Sequence, residues 1–282
     1  MADLGRMNRL VVSKKVDFGV YLNSDKYGEI LLPRKYVPEN CEIGDSITVF
    51  VHKDSEDRII ATNIQPKGLV GDFASLYVTD VNEFGAFLDW GLEKDLFVPF
   101  KEQKKRMIKG QKYTIFIYID KITDRILASS KIGKFLEAPR GKIKEGDEVS
   151  ILVADEIEIG FPTIIENYYS GMLYKNEIFE EIKVGDHLKA FVKKVRQDDL
   201  VDLTLQKSGH SRSEPLADDI LNKLRLQGGF MPINSKSSPE QIQKLFSCSK
   251  KTFKMAIGGL YKKRLIVITE DGIKLTPQNG SK

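Results

Sequence analysis

Cysteine, histidine and tryptophan are almost missing from this 282-residue chain, which has two, three and one of them. Cys41 and Cys248 lie far apart and form no CxxC pair, so a disulfide framework is excluded. The N-terminus MADLGRMNRLVV has no signal-peptide core, and a reducing cytoplasm is the expected setting. His52, His187 and His210 stand apart from one another and from cysteine, so no metal is expected. No apolar run approaches the roughly 18 residues of a membrane span, and no membrane partner is expected. There is no phosphate-loop motif, no GxGxxG after a strand and no GxSxG elbow. The acidic pairs Asp198-Asp199 and Asp218-Asp219 have no nucleophile and base to work with. A non-enzyme without cofactor follows as the expectation.

What is present is charge, unevenly spread. Charged residues make up 30% and hydrophobic residues 41% of the chain, with a net charge of +4. From Lys207 onward there are 14 Lys and Arg against 6 Asp and Glu, or +8; residues 1–206 carry 30 against 34, or −4. A basic C-terminal region suits either a polyanion partner or a plain solvated surface.

The chain also repeats itself. LGRMNRLVVSKKVDFGVYL (4–22) lies over VGDFASLYVTDVNEFGAFL (70–88) at a shift of 66, and DRIIAT (57–62) over DRILAS (124–129) at 67. A third copy is more distant: EGDEVSILVADEIEIGFPTII (145–165) places Gly160 where Gly85 stands, and VGDHLKAFVKKV (184–195) matches IGDSITVFVHKD (43–54). In the middle copy SLYVTDV, AFLDW, DLFVPF, KYTIFIYIDKI and DRILASS read as five strands, rich in Val, Ile, Tyr and Phe between Gly, Asp and Asn turns. Five strands in about 65 residues is the size of a small oligonucleotide/oligosaccharide-binding (OB) barrel.

Phe84 and Phe87 flank Gly85 at an odd spacing, which in an unbroken strand would send the two rings to opposite faces. Gly85 is expected to use its freedom at positive φ to break the pleat at a turn, so that both rings reach one outer face. Trp90 and Phe116 read as structural, and Phe97 stays open between core and surface. Each ring has a core alternative, since small barrels also bury aromatics.

The entry glycines Gly5 and Gly71, FGVY and FGAF, a Leu/Val-Pro third strand, a Gly-Asp before the long strand and a closing DRI-x-AS resemble the RNA-binding domain named after ribosomal protein S1. The resemblance implies rings that stack on nucleobases with basic residues beside them. On the first copy it falls on Phe18, Tyr21, Lys53 and Arg58, and on the second copy on Phe84, Phe87, Lys121 and Arg125. The family's third-strand histidine is replaced by Pro33, Pro99 and Tyr174. The third copy departs at the FG element and offers Tyr168, Tyr169 and Tyr174 with Lys175, Lys193, Lys194 and Arg196. Two readings stand for it: a different binding face, or a spacer packed on its neighbours.

SGHSRSEP (208–215) reads as a linker, and the periodicity then changes. PLADDILNKLRLQ is helical; Ser238-Pro239-Glu240-Gln241 starts a second helix; Ser249 caps a third, with Phe253, Ile257, Leu260 and Tyr261 as its buried stripe. LIVITEDGIKLT is a hairpin turning at Asp271-Gly272. This is the winged-helix order. Lys250, Lys251 and Lys254 fall in the first turns of the third helix, and Lys262 at its end with Lys263 and Arg264. They suit phosphate contacts or, at the C-terminal end, the helix dipole.

The expected fold is therefore mainly β with a C-terminal α+β domain: three tandem five-stranded OB-type barrels (1–65, 66–139 and 140–207) and a winged helix (213–282). That order is similar to the conserved virulence factor B family, also called the YitL family. The resemblance implies cytoplasmic RNA binding and a regulatory role in bacterial gene expression, including virulence genes in pathogens. Three partners stay open: single-stranded RNA as the first reading, duplex DNA through the winged helix, and protein partners that would make the chain a scaffold.

Overall fold

The computed structural model describes residues 2–178, 180–206 and 213–276. The first barrel is made of β1 (Met7–Val16), β2 (Gly19–Ser24), β3 (Gly28–Pro33), β4 (Ser46–Lys53) and β5 (Ile59–Thr62), closed in the order β1-β2-β3-β5-β4. The second has β6 (Phe73–Val81), β7 (Gly85–Leu88), β8 (Leu96–Pro99), β9 (Lys112–Ile119) and β10 (Ile126–Ser129) in the order β10-β9-β6-β7-β8. Here β8 and β10 lie side by side across the seam. The third, β11 (Glu148–Val153), β12 (Gly160–Ile165), β13 (Tyr169–Tyr174), β14 (His187–Val195) and β15 (Val201–Thr204), closes like the first.

The repeat is visible in the strand starts. Met7 and Phe73 are 66 apart, as are Ser46 and Lys112, whereas Ile59 and Ile126 are 67 apart. The extra residue thus falls in the loop between β9 and β10, which carries Lys121 and Arg125. Alternation sends Leu10 and Val12 of β1, and Leu76 and Val78 of β6, into their barrels. A bulge interrupts β1 after Val12 and β6 after Val78, and another interrupts β14 after Val192. Each bends its strand and supports the tight curl of a five-stranded barrel.

Gly85 does not do what its position in the sequence suggests. It does not adopt positive φ; it is the first residue of β7, opposite Pro99. A Cβ there would lie 2.3 Å from the Val98 carbonyl oxygen. Gly160 meets the same obstacle in the third barrel, 2.1 Å from the Leu173 oxygen, and Gly19 in the first, 2.2 Å from the Leu32 oxygen. The recurring glycine marks close approach of two strands. Left-handed backbone is instead used at the β4–β5 type of turn, by Asp57, Asp124 and Asp199 at equivalent places in the three barrels. Asp is among the few non-glycine residues that tolerate it.

The barrels are packed in a row. Phe50 leaves the first barrel's β4 and is fully buried in the core of the second. Gly5 at φ 74° brings its backbone against Val70, where the Gly5 oxygen accepts from the Val70 N–H at 2.9 Å. Between the second and third barrels, Asn167 accepts from the Phe73 N–H at 2.9 Å and donates to the Gly71 oxygen at 3.0 Å. Phe73, Phe116 and Phe135 form a stack there with Leu152, Ala154 and Ile164. Phe116 is therefore a junction residue.

The C-terminal domain has α1 (Ser213–Leu226), β16 (Phe230–Met231), α2 (Pro239–Phe246), α3 (Lys250–Lys262), β17 (Ile266–Ile268) and β18 (Ile273–Leu275), with a β16-β18-β17 sheet. Ser238 and Gln241 make a reciprocal capping box ahead of α2, with Pro239 at its first position, and Ser249 caps α3. The linker reading covers too much: helix α1 already begins at Ser213, and residues 208–212, with His210, lie outside the described residues. Tyr261 is also not part of the buried stripe. It is 55% exposed, and Phe253, Ala256, Ile257 and Leu260 form the stripe. It stands at the last turn of α3, where the stripe has moved past the core.

Candidate nucleic-acid interface

The NEFG turn of the second barrel is built by Asn82. Its side-chain oxygen accepts from the N–H groups of Phe84 at 2.8 Å and Gly85 at 3.1 Å, and its own N–H donates to the Gly85 oxygen at 3.0 Å. This fixes Phe84 at the tip, 66% exposed. Phe87 lies in β7 opposite Phe97, with ring centroids 5.1 Å apart and tilted by 39°. The Phe97 ring comes so close to Gly85 that a Cβ there would be 2.7 Å from it. The missing side chain thus serves the strand approach and the ring wall together. Trp90 forms the floor at 4% exposure, its indole N–H donating to the Gly68 oxygen at 2.7 Å and its ring edge-on to Phe50.

These rings wall a cleft of about 560 Å³. Phe84, Phe87 and Phe97 reach it from β7, β8 and the turn between β6 and β7; Asp120, Thr123 and Arg125 reach it from the loop between β9 and β10; and His52, Lys53, Ser55 and Asp57 reach it from the first barrel. Both phenylalanines thus face one cleft. Arg125 is ion-paired with Asp57, and Lys53 with Asp124 at 3.3 Å. Lys94 donates to the Asp54 oxygen at 2.6 Å. Lys101 lines the cleft and forms no hydrogen bond or ion pair among the described residues, while Lys121 is exposed outside it.

His52 packs parallel to Phe50 at 5.7 Å, with Nδ1 3.3 Å from the Lys53 oxygen. Burial, with a further push from Lys94, holds its pKa below the usual imidazole value. The folded protein therefore binds this proton less readily than the unfolded chain. Above a pH of about 6.5 the site has no effect on stability; as pH falls through that value the unfolded chain is protonated first and stability is lost. The decline in urea midpoint between pH 7 and pH 5.5 is expected to be shallower in His52→Asn than in the unaltered chain.

In the first barrel Phe18 is 58% exposed and meets Tyr21 edge-on at 6.4 Å. Lys14, not singled out by the sequence, lies 6.0 Å from the Tyr21 ring centre. Lys53 is separated from this pair and belongs to the neighbouring cleft. Arg58 is held by Asp54 and Glu56 of its own loop, each at 2.8 Å.

The third barrel divides its tyrosines. Tyr169 is buried, Tyr168 is exposed beside the junction turn, and Tyr174 is at the far end of β13, about 17 Å from Tyr169 by strand rise. Tyr174 donates to Asp202 at 3.2 Å, Arg196 pairs with Asp202 at 2.9 Å, and Arg196 also reaches the Tyr174 hydroxyl. Lys193 is paired with Glu177 and Lys175 with Glu156, whereas Lys194 is exposed and unpaired among the described residues.

The winged helix has the opposite electrostatics. Lys250, Lys251 and Lys254, and Lys262 with Lys263 and Arg264, form no ion pair among the described residues, and the first turn of α3 has no acid. Lys250 donates to the Lys236 backbone oxygen at 3.4 Å. Lys262 is a helix length away, about 18 Å from Lys250, so these lysines form two clusters.

Among the described residues no group of three His, Cys, Asp or Glu is placed to hold a metal ion, and no helix is long and apolar enough to cross a membrane. His52, Lys94 and Lys101 were not singled out for binding by sequence reasoning, which left Phe97 open between core and surface; the signal for the first barrel's side of the cleft was the repeated Asp-Arg-Ile, which marks loops of the same kind in both barrels.

Comparison with known proteins gives domain matches along the chain. An S1 domain model matches residues 4–63 and 70–131, and a CvfB-like winged helix domain model matches residues 218–275. The chain is similar to the Bacillus subtilis protein YitL, 28% identical over 275 residues, covering 92% of this chain and 89% of that one. It is similar to Conserved virulence factor B of Staphylococcus saprophyticus, 23% identical over 84% of this chain and 82% of the relative. A crystal structure from Streptococcus pneumoniae, described as a multidomain protein with nucleic acid binding domains, is 24% identical over 96% of this chain and 98% of that one, with a TM-score of 0.43.

Proposed function

The chain belongs to the conserved virulence factor B family, and from that premise we propose that it is a non-enzymatic, cytoplasmic RNA-binding protein that regulates bacterial gene expression, including virulence genes in pathogens. Its S1 and winged-helix domains are of nucleic-acid-binding type. The observation that carries the RNA reading is the second barrel's cleft, where an exposed Phe84 stands with Phe87 and Phe97 beside open space. Rings so placed stack on any base whose face is free, which favours single strands over duplexes. The free lysines of the winged helix add a sequence-independent attraction to phosphate, and tethering the two surfaces in one chain raises their joint affinity. The functional units are 1–65, 66–139, 140–207 and 213–282. RNA contacts are assigned to Phe18, Tyr21, Phe84, Phe87, Lys53, Arg125 and the lysines of α3, with Arg58, Lys121, Tyr174, Lys193, Lys194 and Arg196 at the margins.

Fluorescence anisotropy of the full chain with a labelled single-stranded RNA and with a blunt duplex of the same length tests this. The single strand is expected to bind tighter, with affinity falling steeply with salt. Equal affinity for both would overturn the reading. The unpaired lysines of α3 favour a second reading, duplex DNA bound by the winged helix. In that case Lys251→Glu abolishes duplex binding while Phe84→Ala leaves it unchanged, and absence of duplex binding at modest salt ends it.

A further inference from the structure

The Asp-Arg-Ile turn occurs once in each of the first two barrels, as Asp57-Arg58-Ile59 and Asp124-Arg125-Ile126, and cations cross between the two turns. Arg125 of the second barrel donates to Asp57 of the first, and Lys53 of the first donates to Asp124 of the second. Both aspartates hold left-handed backbone, φ 62° and 52°, so each carboxylate is presented from a turn of the same shape. Lys53 and Arg125 also line the cleft walled by Phe84 and Phe87. Two cations from two barrels, each neutralised by the other barrel's carboxylate, thus stand beside one aromatic wall. A carboxylate offers these cations the same kind of oxygen acceptors that a phosphodiester does.

We propose that the first and second barrels form a single binding site, in which Lys53 and Arg125 leave Asp124 and Asp57 to hold the phosphate next to a base stacked on Phe84 and Phe87. The inference rests on the reading of the cleft as a base-stacking surface. It assigns Lys53 to the second barrel's ligand and makes Asp57 and Asp124 competitors of the nucleic acid. The exchange is feasible because both ion pairs are partly solvated: the Asp124 carboxylate and the Arg125 side chain are each more than half exposed. Pairs of that kind hold their partners weakly.

The test measures affinity of full-length variants for one labelled single-stranded RNA across a salt series. Asp57→Asn and Asp124→Asn keep the left-handed turns, which Asn tolerates as well as Asp. They are expected to bind several-fold tighter than the unaltered chain. Lys53→Met is expected to bind more weakly, with the slope of log affinity against log salt shallower by about 0.7, the loss of one phosphate contact on a single strand. Phe84→Ala is expected to weaken binding with the slope unchanged. If Phe84→Ala weakens binding but neither the two asparagine variants nor Lys53→Met changes affinity or slope, the joint site is overturned while base stacking stands. If Phe84→Ala has no effect, the stacking surface itself is lost and the joint site goes with it.

Discussion

The variant Phe84→Ala/Phe87→Ala is expected to lose roughly tenfold to hundredfold in affinity for single-stranded RNA at low salt, because each base deprived of its aromatic partner loses about 1–3 kcal/mol. The salt slope should stay as it is, since no charge is removed. Phe84 is mostly exposed at the tip of the Asn82 turn, so its ring contributes little to folding. Phe87 is half-buried and touches Phe97, an aromatic pair of the kind worth about 0.5–1.5 kcal/mol. The double variant therefore keeps its fold, and its circular dichroism and unfolding midpoint should show only a modest change. Unchanged affinity in a folded variant would remove the cleft from the binding surface and leave the charge of the winged helix to carry any affinity.

Gly85→Ala is expected to destabilise the second barrel by about 1–3 kcal/mol or more, the range for forcing extra volume into close packing. The new methyl would sit 2.3 Å from the Val98 carbonyl oxygen and 2.7 Å from the Phe97 ring. The oxygen is backbone within the β7–β8 pair and has nowhere to go without parting the strands. The ring belongs to the cleft, so binding should fall along with stability. Gly133→Ala is the control: nothing lies within 4 Å of its Cβ position. Amide hydrogen exchange would report the difference as faster exchange in β7 and β8 of the Gly85 variant alone. Gly160→Ala should do the same to the third barrel, where Gly160 faces the Leu173 oxygen at 2.1 Å. Equal exchange in the Gly85 and Gly133 variants would show that the strands separate without cost and that the glycine has another purpose.

Much of the architecture was legible because its signals are local. Alternating apolar residues identify strands within a few positions, and the 66-residue shift exposes the repeat. Ser238-Pro239 and Ser249 mark helix starts, and Asp271-Gly272 marks the wing turn. The FG element was half legible. Its odd spacing correctly requires a break between Phe84 and Phe87, and both rings do reach one cleft. The role of Gly85 was misread because positive φ and close approach leave the same trace, a glycine, and only the opposite strand tells them apart. Tyr261 was misread for a similar reason: at the edge of a helical stripe, the end of the helix decides what covers the ring.

By itself the sequence determined three barrels and a winged helix, the glycine that recurs in each barrel, the aspartate that recurs in the first two, and a charge separated from the aromatic pairs. Each depends on spacing along the chain or on composition. The tertiary structure decided how the barrels meet, and with it the site. Phe50 enters the second core, and Arg125 reaches Asp57 across 68 residues and Lys53 reaches Asp124 across 71. The rotation of one barrel against the next sets those meetings, and no short-range period encodes a rotation. The tertiary structure also decided which cations are paired: Arg58, Lys193 and Arg196 meet acids of their own barrels and Lys53 and Arg125 meet acids of the neighbouring barrel, while Lys251, Lys254 and Lys262 of α3 form no ion pair among the described residues.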